Sequence, residues 1–284
     1  MRAHLQPLEA PSSHYPGALF PRLDGSALTR RISHRLTATG VRLMTQAPEH
    51  AARDELGVKG TGSVLPEIIY GFSPAVIPVA SDPRTERTAT GYWTLPTPDV
   101  RLPELEAFLA GGRPVVSVGF GSMHGHDPDA LREVVVGAAR RVGVAVVLIS
   151  GWGALTPGDS ADPDVFTIDS VPHSWLFPRV AATVHHGGAG TTGAALAAGV
   201  PTIVVPFGAD QPFWARRAHE LGVSPAPIAR TRLTADRLAE AMDTALTNAR
   251  MEQCASELAT VFGEEAGTPT ALDIIESAAS KQRR

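Results

Sequence analysis

The sequence predicts an α/β protein whose carboxy-terminal part, from about Pro114 onward, is half of a doubly wound fold built on a parallel sheet. Three observations predict it. Short apolar runs of strand length alternate with helical periodicity over short loops, glycine-rich turns follow several of those runs, and the proline-rich first 113 residues lack this rhythm.

In the irregular part, Pro7, Pro11, Pro16 and Pro21 break any early element. A helix is expected from about Ser26 to Leu56, interrupted near Gly40 or Pro48. Two runs of strand length follow, Ile68–Phe72 and Ala75–Val79, each bounded by Pro or Gly. The proline-rich stretch Leu95–Pro103 reads as a stiff linker. The expected organisation is therefore a partial α/β lobe over residues 1–95, a linker over 96–113 and a complete lobe over 114–284.

In the regular part, Val115–Val118 is a buried strand, and Leu131, Val134, Val135, Ala138, Ala139 and Val142 share one helical face. Strands are then expected at Val144–Ile149, Val165–Ile168, Ala182–Val184 and Thr202–Val205. Helices are expected at His173–Phe177, Thr191–Ala198 and Pro212–Leu221. Ligands of such sheets bind beyond the carboxyl ends of the strands.

Composition narrows the function classes. With 43% apolar and 19% charged residues the chain reads as an ordinary globular protein, and no run of about 18 apolar residues could span a bilayer. The amino terminus lacks the apolar core of a secretory leader, so a cytoplasmic location is expected. A net charge of −4 with dispersed basic residues offers nothing for a nucleic-acid backbone. The single cysteine, Cys254, excludes an internal disulfide and a thiolate metal cluster, and its helical surroundings suggest packing.

The strongest chemical signal is the tract Val184-His185-His186-Gly187-Gly188-Ala189-Gly190-Thr191-Thr192, between a strand and a helix. Glycines let backbone approach a ligand closely, and a helix start near Gly190 offers unpaired N–H groups and a positive dipole end. Those are the needs of a diphosphate cradle. His186 can donate a ring N–H to a phosphate oxygen, and Thr191 can cap the helix or touch the same anion. The same residues would also serve a plain tight turn with a capping Thr and a packed histidine. A metal site is disfavoured, because adjacent strand residues point to opposite faces and no third ligand has suitable spacing.

One unit later comes Pro206-Phe207-Gly208-Ala209-Asp210-Gln211-Pro212-Phe213-Trp214. A carboxylate beside a carboxamide can accept from and donate to several sugar hydroxyls. Asp210 also suits a helix N-cap, and the two roles are compatible. Two more loops fall at the same end of the sheet. Ser122, after Gly119-Phe120-Gly121, can meet a phosphate, and the Val171 backbone, with His173 beside it, can read a pyrimidine edge. Trp152 can pack near a base or cover its own loop, whereas Phe120, Trp175 and Phe177 read as packing residues.

These tracts, together with Val171–Phe177 and Ala198–Phe207, resemble the sterol-type glucosyltransferases and the antibiotic glycosyltransferases of the UDP-glycosyltransferase superfamily. The resemblance implies a GT-B architecture, with a UDP-sugar donor in the carboxy-terminal lobe and a lipophilic acceptor in the other. It places His186, Gly188 and the amides of Ala189, Gly190 and Thr191 on the diphosphate, Asp210 and Gln211 on the sugar, and Val171 on the uracil. It implies inverting transfer of a hexose, with glucose expected, no metal or other cofactor, and membrane contact only through the acceptor.

The sequence also departs from the family. The glycine-containing strand-loop-helix that supplies the catalytic base has no counterpart before Leu5, and His14, His34 and His50 do not occupy its position. The acceptor lobe is therefore expected to be truncated, the strand at Ile68–Phe72 to lack neighbours, and no base is assigned. A donor-binding remnant or split subunit without catalysis is the alternative expectation.

Overall fold

A computed structural model of the chain describes residues 2–4, 16–17, 19–20, 22–55, 57, 67–79, 86–96, 99–121, 127–151 and 162–282. The chain divides into two compact units, one of Met1–Thr94 with Glu265–Arg284 and the other of Leu95–Glu264.

The first unit contains β1 (Arg2–His4), α1 (Ala27–Glu55), β2 (Glu67–Tyr70) and β3 (Glu86–Ala89). The strands form a parallel sheet in the order β1-β2-β3, with Ile68 opposite both Arg2 and Arg87. The expectation of a strand without neighbours is thereby corrected: β2 is central. Its flanking strands are short and polar, and so carry no hydrophobic signature. The Ala75–Val79 run is not a strand. Ser73 Oγ accepts the Ala75 N–H and the Ser73 carbonyl accepts from Val76 and Ile77, which closes a turn in which Val76 and Ile77 are buried. Helix α1 runs through Gly40 and Pro48 without the expected interruption.

The second unit starts with α2 (Pro103–Leu109), where a linker is expected from sequence; buried Leu105 holds this helix to a core cluster. Then follow β4 (Val115–Gly119), α3 (Pro128–Val142), β5 (Ala145–Ile149), β6 (Val165–Ile168), α4 (His173–Leu176), β7 (Ala182–His185), α5 (Ala189–Ala198), β8 (Thr202–Val204), α6 (Gln211–Glu220), α7 (Ala235–Thr247) and α8 (Ala249–Glu264). The five strands are all parallel in the order β6-β5-β4-β7-β8. The chain enters at the central strand, fills one side, then crosses to the other. The switch point, where such sheets open a binding crevice, therefore lies between β4 and β7.

Alternation along these strands feeds two cores. Val116, Val118, Val146, Leu148 and Val184 face α3 and α7, while Val115, Val147 and Ala145 face α2, α4 and α5. Helix α3 begins where the Asp127 side chain accepts the Ala130 N–H and ends at Gly143 with a left-handed φ of 78°.

The final helix, α9 (Gly267–Gln282), belongs to the first unit and not to the lobe expected over 114–284. Ser73 Oγ donates to Glu265 Oε1 at 2.5 Å and Thr268 Oγ1 to the Thr94 carbonyl at 3.0 Å. Cys254 on α8 is free and lies under the Gly222 turn, as a packing residue should.

Candidate functional site: an anion cradle at the β4–β7 switch point

β7 delivers two histidines with different tasks. His185, the last strand residue, is buried, and its Nδ1 accepts the Gly187 N–H at 3.0 Å. The proton of the neutral ring therefore sits on Nε2, which donates to Thr202 Oγ1 at 2.7 Å. Thr202 Oγ1 also accepts from Thr183 Oγ1 at 2.9 Å, its partner in register across β7 and β8. Burial pushes the His185 pKa down to about 3, and His186 and His173 add to the shift, so the ring stays neutral. His185 is thus an internal strut for the turn, a role that the sequence reading missed. The available signal was two threonines, Thr183 and Thr202, on the strand positions that face it.

Gly187 has a φ of 85°, and a Cβ there would lie 2.7 Å from Val204 Cγ1. Only glycine fits the turn. The next residue, Gly188, allows the His186 ring to lie close, since a Cβ on it would lie 2.6 Å from His186 Nε2. On its other side the ring nears Gly121, where a Cβ would lie 3.3 Å from His186 Cε1. His186 Nδ1 is buried and bonds to no described residue. Burial, and then His173, lower its pKa, so the free ring is neutral and offers one N–H.

Helix α5 opens here. Its N-cap is Gly188, which has no side chain to cap with, and the first helical bond runs from Thr192 N–H to the Gly188 carbonyl at 2.8 Å. The amides of Ala189, Gly190 and Thr191 therefore have no acceptor among the described residues. Three unpaired N–H groups and the positive end of a ten-residue helix converge beside His186. Thr191 lies within the first turn and does not cap it, which settles one of its two expected roles. Around Gly190 no atom lies within 4 Å of an added Cβ, so the space beside this first-turn residue is open.

The β8–α6 loop closes the next side. Gln211 directs its Oε1 into the loop, accepting from Phe207 N at 2.7 Å and Gly208 N at 3.1 Å. This clamp holds Ala209 at a left-handed φ of 52°. The carbonyl expected to serve sugar hydroxyls is thus engaged in holding the loop. Asp210 occupies the N-cap position of α6 but caps nothing: its Oδ2 accepts the Trp214 indole N–H at 2.8 Å. No other described side chain bonds this carboxylate. Burial raises the Asp210 pKa, against the lowering effect of the Trp214 bond.

Val171 packs its side chain into the second core, while its N–H and C=O bond to no described residue and remain a free edge. His173 opens α4 with its ring stacked on Phe177 at 4.4 Å, and burial lowers its pKa. Phe120, Trp175 and Phe177 are buried, as expected of packing residues. Ser122 and Trp152 lie outside the described residues, as does His14. His34 is buried in α1 and His50 is exposed on it.

Comparison with known proteins fits this geometry. Residues 133–279 match the erythromycin biosynthesis protein CIII-like C-terminal domain. The chain is 37% identical over 220 residues to a sterol 3-beta-glucosyltransferase of Arabidopsis thaliana, covering 76% of this chain and 34% of that protein. It is 39% identical over 210 residues to the O-mycaminosyltylonolide 6-deoxyallosyltransferase of Streptomyces fradiae, covering 73% and 49%. The chain thus spans a third to a half of the length of these relatives. Among solved structures it shares its fold with the glycotransferase of kitacinnamycin, with a TM-score of 0.63 and 24% identity over 87% of this chain and 67% of that one. It also shares it with the calicheamicin glycosyltransferase CalG4, with a TM-score of 0.61 and 22% identity over 81% and 58%. The fold is that of GT-B glycosyltransferases, and the chain belongs to the erythromycin biosynthesis protein CIII-like C-terminal domain family within the UDP-glycosyltransferase superfamily.

Proposed function

We propose that this chain binds a UDP-sugar at the carboxyl edge of the β4–β8 sheet and serves the transfer of its hexose to a hydroxyl of a lipophilic acceptor. One observation carries the reading: the three unpaired amides of Ala189, Gly190 and Thr191 beside the unpaired His186 ring. A diphosphate fits this donor set, because it brings several acceptor oxygens and a negative charge to a helix start. The relatives named for a sterol and for a mycaminosyltylonolide support a lipophilic hydroxylated acceptor. The names differ in the sugar, and glucose is our choice on the stronger representation of glucosyltransferases.

In this reading the Val171 backbone pairs with the uracil edge, and His173 borders the nucleotide. Asp210 Oδ1 accepts from sugar hydroxyls, and Gln211 fixes the loop that presents it. As the anomeric bond to the diphosphate breaks, negative charge grows on the leaving oxygens. The α5 amides and the His186 N–H stabilise it. The acceptor oxygen attacks from the opposite face, with inversion, as its proton passes to a base that we do not assign.

Calorimetric titration with UDP tests the donor site, and UDP release across a panel of sterols and macrolide aglycones tests transfer. Saturable UDP binding with acceptor-dependent release is expected. Binding without release would favour a donor-binding subunit, a reading helped by the three strands that the described part of the first unit supplies. Absence of UDP binding would end both.

A further inference from the structure

Among the described residues of α1, the buried ones are polar: Ser33, His34 and Thr37. Gly17 N–H donates to Ser33 Oγ at 2.7 Å, and a Cβ on Gly17 would lie 2.5 Å from Thr37 Oγ1, so this polar side is closely packed. Its outward side is apolar. Leu28, Ile32, Leu36 and Leu43 are 67%, 43%, 44% and 69% exposed and recur at helical spacing, forming one stripe about 22 Å long.

Arg31, Arg35 and Arg42 line one side of that stripe. All three are exposed, and none pairs with a described carboxylate. Arg30, half-buried, is bonded to Asp24 and lies off this face. From Leu28 to Leu43 the sequence contains four arginines and no Asp or Glu.

A helix of a globular unit normally turns its apolar stripe to the core and its charges to water. Here a leucine row and an arginine row face outward together. An anionic bilayer surface matches both rows at once: acyl chains just below the headgroups take the apolar residues, and lipid phosphates take the guanidinium groups. A protein partner would have to supply a groove and a parallel row of carboxylates in register. No described helix is long and apolar enough to cross a membrane, so the contact would be one of surface docking.

We propose that the outer face of α1 docks the protein on an anionic lipid surface. This contact is built from the chain's own side chains, which differs from the expectation of membrane contact through the acceptor alone, and it stands independently of donor binding. A docked enzyme would meet lipophilic acceptors where they partition.

Flotation of the full chain with phosphatidylcholine vesicles, with and without phosphatidylglycerol, tests it. Binding to the anionic vesicles is expected, with release as salt is raised. The triple variant R31Q/R35Q/R42Q should lower the partition coefficient on the order of a hundredfold, at about 1 kcal/mol per basic residue. L28S/I32S/L36S/L43S should abolish binding at any salt. All seven positions are exposed, so circular dichroism and melting temperature should be unchanged in both variants. Failure of the unmodified chain to float with anionic vesicles would overturn the proposal. So would equal binding by both variants, or a concentration-dependent dimer that the serine variant dissolves while vesicle binding is absent.

Discussion

The Gly187 amide and the His185 imidazole, two residues apart, close the turn beneath the anion cradle through a 3.0 Å hydrogen bond to Nδ1. Because that bond fixes the tautomer, the opposite nitrogen must donate to Thr202, and the ring cannot take a second proton without losing the Gly187 bond. The folded pKa of about 3 lies below the ordinary 6.5, so above pH 6.5 the neutral ring contributes its full stability. As the pH falls from 6.5 towards 3 the unfolded chain gains a proton that the folded chain does not. The linkage costs roughly 1.4 kcal/mol per pH unit across that window. Denaturant unfolding at pH 7.5 and 5.0, values chosen as roughly one unit above and one and a half below the ordinary pKa, should show this loss. His185→Leu should be about 2–4 kcal/mol less stable at neutral pH, because it orphans the buried Gly187 N–H and takes from Thr202 Oγ1 one of its two donors, and should show a weaker acid dependence.

Two neighbouring glycines should respond in opposite ways to the same methyl group. At Gly188 the added Cβ meets His186 Nε2 at 2.6 Å, so Gly188→Ala should push the ring out of place. At Gly190 nothing lies within 4 Å, and alanine should stabilise α5 by up to about 1 kcal/mol. In the proposed mode the Gly190 amide holds the diphosphate, and a methyl on that residue crowds the anion, so UDP affinity should fall at least about tenfold while the melting temperature holds or rises. Undiminished UDP binding by Gly190→Ala would show that the diphosphate lies elsewhere.

Much of this site was legible because the residues that build it are local. The tract from Val184 to Thr192 encodes strand, turn and helix in nine positions, and the buried strands announce themselves by apolar runs on both faces. What stayed hidden depends on partners distant in sequence. Glu86–Ala89 and Arg2–His4 are short, polar-containing strands that only pairing with Ile68–Tyr70 defines. Gln211 reads as a sugar ligand until the fold shows Phe207 and Gly208 converging on its oxygen. The assignment of α9 to the first unit rests on contacts such as Ser73 with Glu265, 192 residues apart, that no local pattern records.

His186 should report the arrival of the diphosphate as a proton uptake. Burial holds the free ring below the usual histidine range, whereas an adjacent anion favours its charged form. Between the lower pKa of the free protein and the higher one of the complex, binding must draw protons from solution, and affinity should rise as the pH falls through that interval. Titration of UDP in two buffers of different ionisation enthalpy reads the uptake directly. His186→Ala should abolish it and weaken binding by about 1.5–3 kcal/mol, the range of a hydrogen bond to a charged group. Equal proton uptake in the variant would move the role to another residue.

Asp210 separates support of the fold from contact with the sugar. Its Oδ2 accepts from the Trp214 indole, one of the largest buried side chains of the protein, and in the proposed mode Oδ1 meets the sugar. In Asp210→Asn the amide oxygen can still accept from Trp214, so stability should change by less than about 1 kcal/mol. The free position then presents an NH2 donor, with its lone pairs and charge gone. Asp210→Ala removes the carboxylate that accepts the buried indole N–H and should cost about 1–3 kcal/mol of stability. Both variants should bind UDP like the parent, since neither touches the cradle, and both should lose affinity for the intact UDP-sugar. If the asparagine variant bound UDP-glucose and UDP with the parent's ratio of affinities, the carboxylate would be a support for Trp214 alone.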